Sequence, residues 1–175
     1  MRRKVNKIIY KDEAVMEIQL TRGYSVVIDR EDYPTIKDLR WLTIVAPYTC
    51  YAMHSYTKNG KRGAIPMHRL ILGINDPGVL VDHVNRNGLD NRRGNLRTCT
   101  ARQNCYNTKR RTDNTSGYKG VHLHFGKWQA RVVVNGKRIS LGHFDNLMDA
   151  VRVRDEAAAK HYGQYAYLNI PPEQK

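Results

Sequence analysis

Apolar residues along this chain alternate with polar ones more often than they recur at helical spacing, so the sequence reads first as a series of short strands. RGYSVVID (residues 22–29) is the first clear case, and its β-branched Val26, Val27 and Ile28 suit a pleated, half-buried surface. DYPTI (32–36) breaks the pattern, RWLTIVA (40–46) and TCYAMHSYT (49–57) resume it, and Asn59-Gly60 marks a hairpin turn. Residues 1–66 are therefore expected to form a small β-rich unit, with Trp41 in its core or, as the alternative, stacking on DNA. MHRLILG (67–73) predicts a short helix that stops at Gly73.

GVLVDHV (78–84), just after Pro77, reads as a strand that delivers Asp82 and His83 at its end. NRNGLDNRRGN (85–95) is dense in turn formers and predicts a loop, followed by a short strand over Leu96 to Thr98. Thr100 and Gln103 have the spacing of a capping box, so a helix is expected from about Ala101, with Asn104 in its first turn. KRRTDNTSG (109–117) fits neither periodicity and predicts a linker, centred on 111–115.

Beyond it, YKGVHLH, KWQARVVV and KRISLGHF predict three strands, with Asn135-Gly136 as a hairpin turn. Asn146 or Asp145 caps a helix that runs to about Tyr162 and is stopped by Gly163. The fold class is α+β: a β-rich unit over 1–66, a strand-loop-strand-helix unit over 67–110, and a three-stranded antiparallel sheet with a helix over 116–170. Along KWQARVVV, Trp128, Ala130 and Val132 alternate with Lys127, Gln129, Arg131 and Val133. One parity buries against the helix, and the other forms an outward face that is mostly polar and basic.

Charge adds a partner to this picture. Lys and Arg number 30 against 16 Asp and Glu, a formal net charge of +14, which points to a polyanion. No apolar run approaches the roughly 18 residues that a membrane span needs, so duplex DNA is expected rather than a membrane. Eight of the basic residues lie between Arg86 and Arg111 with Asp90 as the one acid, a run expected to position DNA through its phosphates. The cysteines, Cys50, Cys99 and Cys105, show no Cys-x-x-Cys spacing, which argues against a zinc ribbon and suits a reducing compartment. MRRKVNKIIYKDE lacks the apolar core of a signal peptide, so cytoplasm is the expected location.

The polar residues of 82–104 carry chemistry. Asp82 and His83 precede Asn95 by twelve positions from the histidine, and Asn95 precedes Asn104 by nine. Phosphodiester cleavage needs a base near neutrality, which an imidazole supplies, and a hard cation held by carboxylate and amide oxygens. With these residues in view, the segment VDHVNRNGLDNRRGNLRTCTARQNCYN resembles the HNH nuclease motif of phage and intron-associated homing endonucleases. The resemblance implies a ββα-metal site with His83 as general base, Asn95 orienting its imidazole, and Asp82 and Asn104 holding one Mg²⁺ or Mn²⁺. It also makes His68 and Arg69 candidates for contact with the active site or a phosphate; the alternative for His68 is a bond to neighbouring backbone.

Lys119-Gly120-Val121, Gly126-Lys127-Trp128, Leu141-Gly142 with Phe144, Asp155-Glu156-Ala157-Ala158 and Leu168-Asn169 together resemble the APETALA/ethylene-response-factor DNA-binding domain. In that family the sheet lies in the major groove, which implies Lys119, His122, His124, Lys127, Arg131 and Arg138 as DNA-facing residues. The expected protein is a site-directed, metal-dependent DNA endonuclease of a phage or bacterial host, a monomer or weak dimer with no protein partner implied. The rival is a sequence-specific DNA-binding regulator on an inactive nuclease scaffold; an RNA-binding protein rests on charge alone.

Overall fold

Strong alternation gives a strand with one apolar face, and a sheet can bury that face only against another element. In the computed structural model, which describes residues 6–10 and 12–171, strands β1 (Ile8–Tyr10), β2 (Val15–Gln19) and β3 (Ser25–Asp29) form an antiparallel sheet in that order. Met16 pairs with Ile28 and Ile18 with Val26, so four apolar side chains are buried on one face. DYPTI, expected as a break, is a turn followed by the short helix α1 (Tyr33–Ile36), started by Pro34. Trp41 lies in the core as expected, 1% exposed, with its indole Nε1 donating to the Ile36 carbonyl at 3.0 Å.

Strands β4 (Leu42–Val45), β5 (Cys50–Lys58) and β6 (Lys61–Pro66) make a second antiparallel sheet. Asn59-Gly60 turns β5 into β6 with both residues at positive φ, 51° and 72°, the hairpin geometry that asparagine and glycine tolerate best. Helix α2 (Met67–Ile71) follows, then β7 (Leu80–His83), which pairs antiparallel with β8 (Leu96–Cys99).

The chain divides into two units, one up to Ala101 and one from Arg102. In the first, a single hydrophobic cluster joins Met16, Ile28, Trp41, Ala52, Met67, Ile71 and Leu96. The β-rich segment and the β7–β8 pair therefore share one core. The stretch 111–115 falls inside the second unit, as does helix α3 (Ala101–Asn107) from Arg102 on.

In that unit β9 (Val121–His124), β10 (Lys127–Val134) and β11 (Lys137–Phe144) form the predicted antiparallel sheet, with β10 in the middle. Helix α4 (Leu147–Tyr162) begins at Asn146, whose side-chain oxygen accepts from the Met148 amide at 2.7 Å, and ends at Gly163 with φ 54°. Ala130 and Val132 are buried and Trp128 is half-buried, packed with Ala150, Val151 and Ala158 of α4. That is the predicted parity. A bulge at Leu141 shifts the register, so that Ala130 pairs with Gly142 but Arg131 with Ser140.

Candidate active site and nucleic-acid face

β7 ends on Asp82 and His83, both buried at 6% and 5% exposure. The loop after it is held in place from three sides. The Val27 amide donates to the Leu89 carbonyl at 2.9 Å, and the Asn91 amide donates to the Val27 carbonyl at 2.7 Å, docking the loop on the edge of β3. Arg93 spans to Asp32, which is 3% exposed in its side chain, with contacts of 2.6 to 3.0 Å, and also donates to the Ile71 carbonyl. Gly88 lies so close to β5 that a Cβ there would stand 2.4 Å from the Cys50 carbonyl and 2.7 Å from the Tyr51 ring, which is why this turn needs glycine.

This docking presents Asn91, fully buried, to the imidazole: His83 Nε2 and Asn91 Oδ1 are 2.8 Å apart. A carbonyl oxygen accepts, so Nε2 carries the proton and Nδ1 the lone pair. The partner expected from the motif spacing was Asn95. Instead its amide accepts from the Asn85 backbone and donates to the Asn85 side chain and the Asp90 carbonyl, at 2.7 to 3.0 Å, tying together the two ends of the loop. Asn95 thus shapes the loop that carries Asn91. No spacing signal marked Asn91.

His68 is drawn into the same place, its ring 5.0 Å from that of His83 and edge-on to it. Tyr51 packs against both, at 5.9 and 6.0 Å. The reading of His68 as bonded to neighbouring backbone does not hold for Nδ1, which is buried with no hydrogen-bond partner. Burial, with His83 and Arg69 nearby, pushes His68 down to about 3. Burial also lowers His83, against the opposing pull of Asn91, Asp82 and Asp90. Both imidazoles are neutral near pH 7. Arg69 is used differently: its guanidinium donates to the Val79 and Asp76 carbonyls at 2.5 Å, pinning the connection into β7.

Asp82 Oδ2 accepts from Arg97, directly across the sheet, at 2.8 and 2.5 Å. Arg92 pairs with Asp90 at 2.7 Å, so four arginines of the basic run (92, 93, 97 and, through Asp113, 111) are engaged by carboxylates. Asn104 is exposed on α3, in the second unit. Among the described residues no three His, Cys, Asp or Glu side chains converge as a metal cluster. Such a donor set does not suit a zinc ion enclosed by protein; one or two oxygen ligands suit a Mg²⁺-like ion that takes its remaining ligands from phosphate and water.

On the second unit, His122, His124, Lys127, Arg131 and Arg138 all lie on the face away from α4. Parity adds His143, paired with Gln129, its ring 5.5 Å from that of His124. The 93%-exposed Phe125 stands at the tip of the β9–β10 hairpin with φ 47°, uncommon for an aromatic residue. Lys119 is not on this face. Its ammonium donates to the carbonyls of Cys105, Tyr106 and Thr108, at 3.3, 2.9 and 2.6 Å, and sits over the Tyr167 ring.

The chain is thus a mixed α+β protein in which a strand-end Asp-His pair and a basic sheet face occupy separate units. No family model and no solved structure matches it. It is similar to an uncharacterised HNH endonuclease of Acanthamoeba polyphaga mimivirus, at 29% identity over 133 residues, 72% of this chain and 69% of that protein. It is also similar to dehydration-responsive element-binding protein 2D of Arabidopsis thaliana, at 41% identity over 76 residues, 41% of this chain. The match spans little more than a third of that plant protein, 37%. Among the described residues, no helix is long and apolar enough to cross a membrane.

Proposed function

We propose that this protein is a site-directed, divalent-metal-dependent DNA endonuclease of the HNH homing type that nicks one strand per active site. The observation that carries the reading is His83: a buried imidazole, held by Asn91 through one nitrogen and placed next in sequence to a buried carboxylate. His83 Nδ1 takes a proton from water, which attacks the scissile phosphorus in line. Asp82, with Asn104 as the amide donor proposed from the motif spacing, would hold Mg²⁺ or Mn²⁺. Such an ion would neutralise the charge that develops on the leaving oxygen. The sheet face of the second unit holds the duplex through His122, His124, Lys127, Arg131 and Arg138, with Lys119 removed from that set by its bonds to α3. Similarity to a viral HNH endonuclease and to a plant element-binding protein supports both halves.

One observation favours the rival, a DNA-binding regulator on an inactive scaffold: Arg97 holds the carboxylate that the ion would need. Supercoiled plasmid with Mg²⁺ separates the two readings. The wild-type chain should convert it to open circles, and chelation should stop the conversion; plasmid that is bound but left supercoiled would establish the regulator.

The His122 imidazole of the sheet face adds a pH dependence. His122 is lowered from its ordinary value, first by burial and then by Arg131, His124 and His143, with Gln129 opposing. It therefore protonates at a lower pH than an ordinary imidazole, and duplex DNA, by supplying phosphate charge, favours the protonated form. Affinity for DNA should rise as pH falls from 8 to 5, with the log-log salt slope steeper by about 1 for each imidazolium engaged. Fluorescence anisotropy over a salt series at each pH measures both, and an affinity that is flat across this window would remove the histidines from the interface.

A further inference from the structure

Helix α3 is too short to be stable alone, since isolated helices below about 12 residues are marginal in water. It is secured at both ends within the second unit. Arg102, at its start, donates to Asn135 Oδ1 in the β10–β11 turn at 3.3 Å. Tyr106 stacks on Tyr162 of α4, with ring centroids 3.9 Å apart and planes 11° from parallel. The Tyr162 hydroxyl is itself tied to β10, accepting from the Val133 amide at 2.8 Å and donating to the Val133 carbonyl at 3.0 Å.

The last turn of α3 then meets Lys119. Carbonyls at a helix C-terminus have no partners inside the helix, and a cation there is favoured by both hydrogen bonding and the helix dipole. Lys119 supplies that cation to two of them, Cys105 and Tyr106, and to the carbonyl of Thr108 just past the helix. It is fixed in turn: its backbone amide donates to Asn169 Oδ1 at 2.7 Å, and Asn169 Nδ2 returns a bond to the Lys119 carbonyl at 3.1 Å. The Tyr167 amide adds a bond to the Tyr106 carbonyl at 3.3 Å. Asn104 lies between these anchors.

We infer that Lys119 is a positioning residue for Asn104: it locks α3 to the sheet module, so that the ligand-bearing helix moves with the DNA-reading face rather than on a flexible tether. This rests on the nuclease reading, in which Asn104 is a donor. It gives the lysine a task different from contacting the duplex, and it converts the stretch between α3 and the sheet from linker to clamp.

Lys119→Met keeps the aliphatic stem and removes the donors. In the full chain it should leave DNA affinity within about twofold and lower the nicking rate at saturating DNA by tenfold or more, whereas Lys119→Arg, which can still donate to carbonyls, should restore most of the rate. Hydrogen exchange gives a readout independent of cleavage. Amides of the second half of α3 should lose protection at least tenfold in Lys119→Met while those of β10 keep theirs, and Tyr106→Leu should do the same from the other anchor. Weakened DNA binding with an unchanged rate at saturation would return Lys119 to the DNA face and overturn the inference, as would unaltered α3 protection in both variants. A wild-type chain that never nicks would remove the nuclease reading, while the exchange result would still decide whether α3 is clamped.

Discussion

His83→Ala should lower the rate of plasmid nicking by about 10² to 10⁴-fold, the usual worth of a positioned general base, while changing DNA affinity by less than about twofold. The division between the two numbers follows from where the residue sits. His83 is 5% exposed at the end of β7, sealed by Tyr51 and His68, and the basic sheet face that would hold the duplex belongs to the other unit. Losing it removes a proton acceptor and no phosphate contact. The pH profile of the wild-type rate is a second reading of the same group. Because burial holds His83 below its ordinary value, the neutral base persists as pH falls, so the rate should stay flat through about 6.5, where an unperturbed imidazole is half protonated, and decline only below it. Single-turnover nicking at saturating DNA checks both, and a variant that nicks within threefold of wild type would take the base assignment away from His83.

Part of this site could be read from the sequence because the chemistry sits in one short segment. A strand that ends on Asp-His, followed by a loop dense in turn formers, forces both side chains to one strand end, and β7 delivers them there. What could not be read is what the loop does after it leaves the strand. Its docking depends on Val27 and Asp32, about sixty positions earlier, and that docking selects Asn91 over Asn95 as partner to the imidazole. Arg97 was assigned to phosphates for the same reason: only the register shows it directly opposite Asp82, where unlike charges on one face of a strand pair attract.

The second unit was more legible because its signals are local. Asn135-Gly136 turns the chain at φ 52° and 79°, Asn146 caps α4, and the parity of KWQARVVV assigns inward and outward faces correctly. The family resemblance, not parity, assigns Lys119 to the outward face, and the residue lies two positions before the strand. β9 begins at Val121, and Gly120 precedes it at φ 78°, pressed so close that a Cβ would lie 2.7 Å from the Arg131 carbonyl and 2.9 Å from Arg154 Nε. That turn redirects the chain, and the Lys119 ammonium reaches the carbonyls of Cys105 and Tyr106 in α3.

The same neighbourhood gives the largest expected loss of stability. Arg154 and Asp155 belong to the stretch that resembles a DNA-binding family, yet they face the interior, at 2% and 8% exposure. Arg154 donates to Asp155 Oδ1 at 2.8 Å and to the Tyr167 carbonyl at 2.5 Å; Asp155 also accepts from Asn169 Nδ2 and the Ile170 amide, both at 2.9 Å. One carboxylate thus neutralises a buried guanidinium and holds the closing segment that, through Asn169, fixes Lys119. Asp155→Ala leaves the guanidinium buried without its counter-charge, a change that costs about 3 to 5 kcal/mol when one partner of a buried pair is removed. Asp155→Asn keeps one oxygen, which can still accept from Arg154 and Asn169, and loses the charge and the acceptor of the Ile170 amide, so it should cost less than Asp155→Ala. The two tryptophans fall one in each unit, Trp41 in the first and Trp128 in the second. Urea unfolding followed by fluorescence in a Trp41→Phe background therefore reports the second unit alone. A midpoint shift equivalent to less than about 1 kcal/mol in Asp155→Ala would mean that Arg154 finds solvent when its partner is gone, and that the closing segment is held by the remaining bonds of Asn169 and Tyr167.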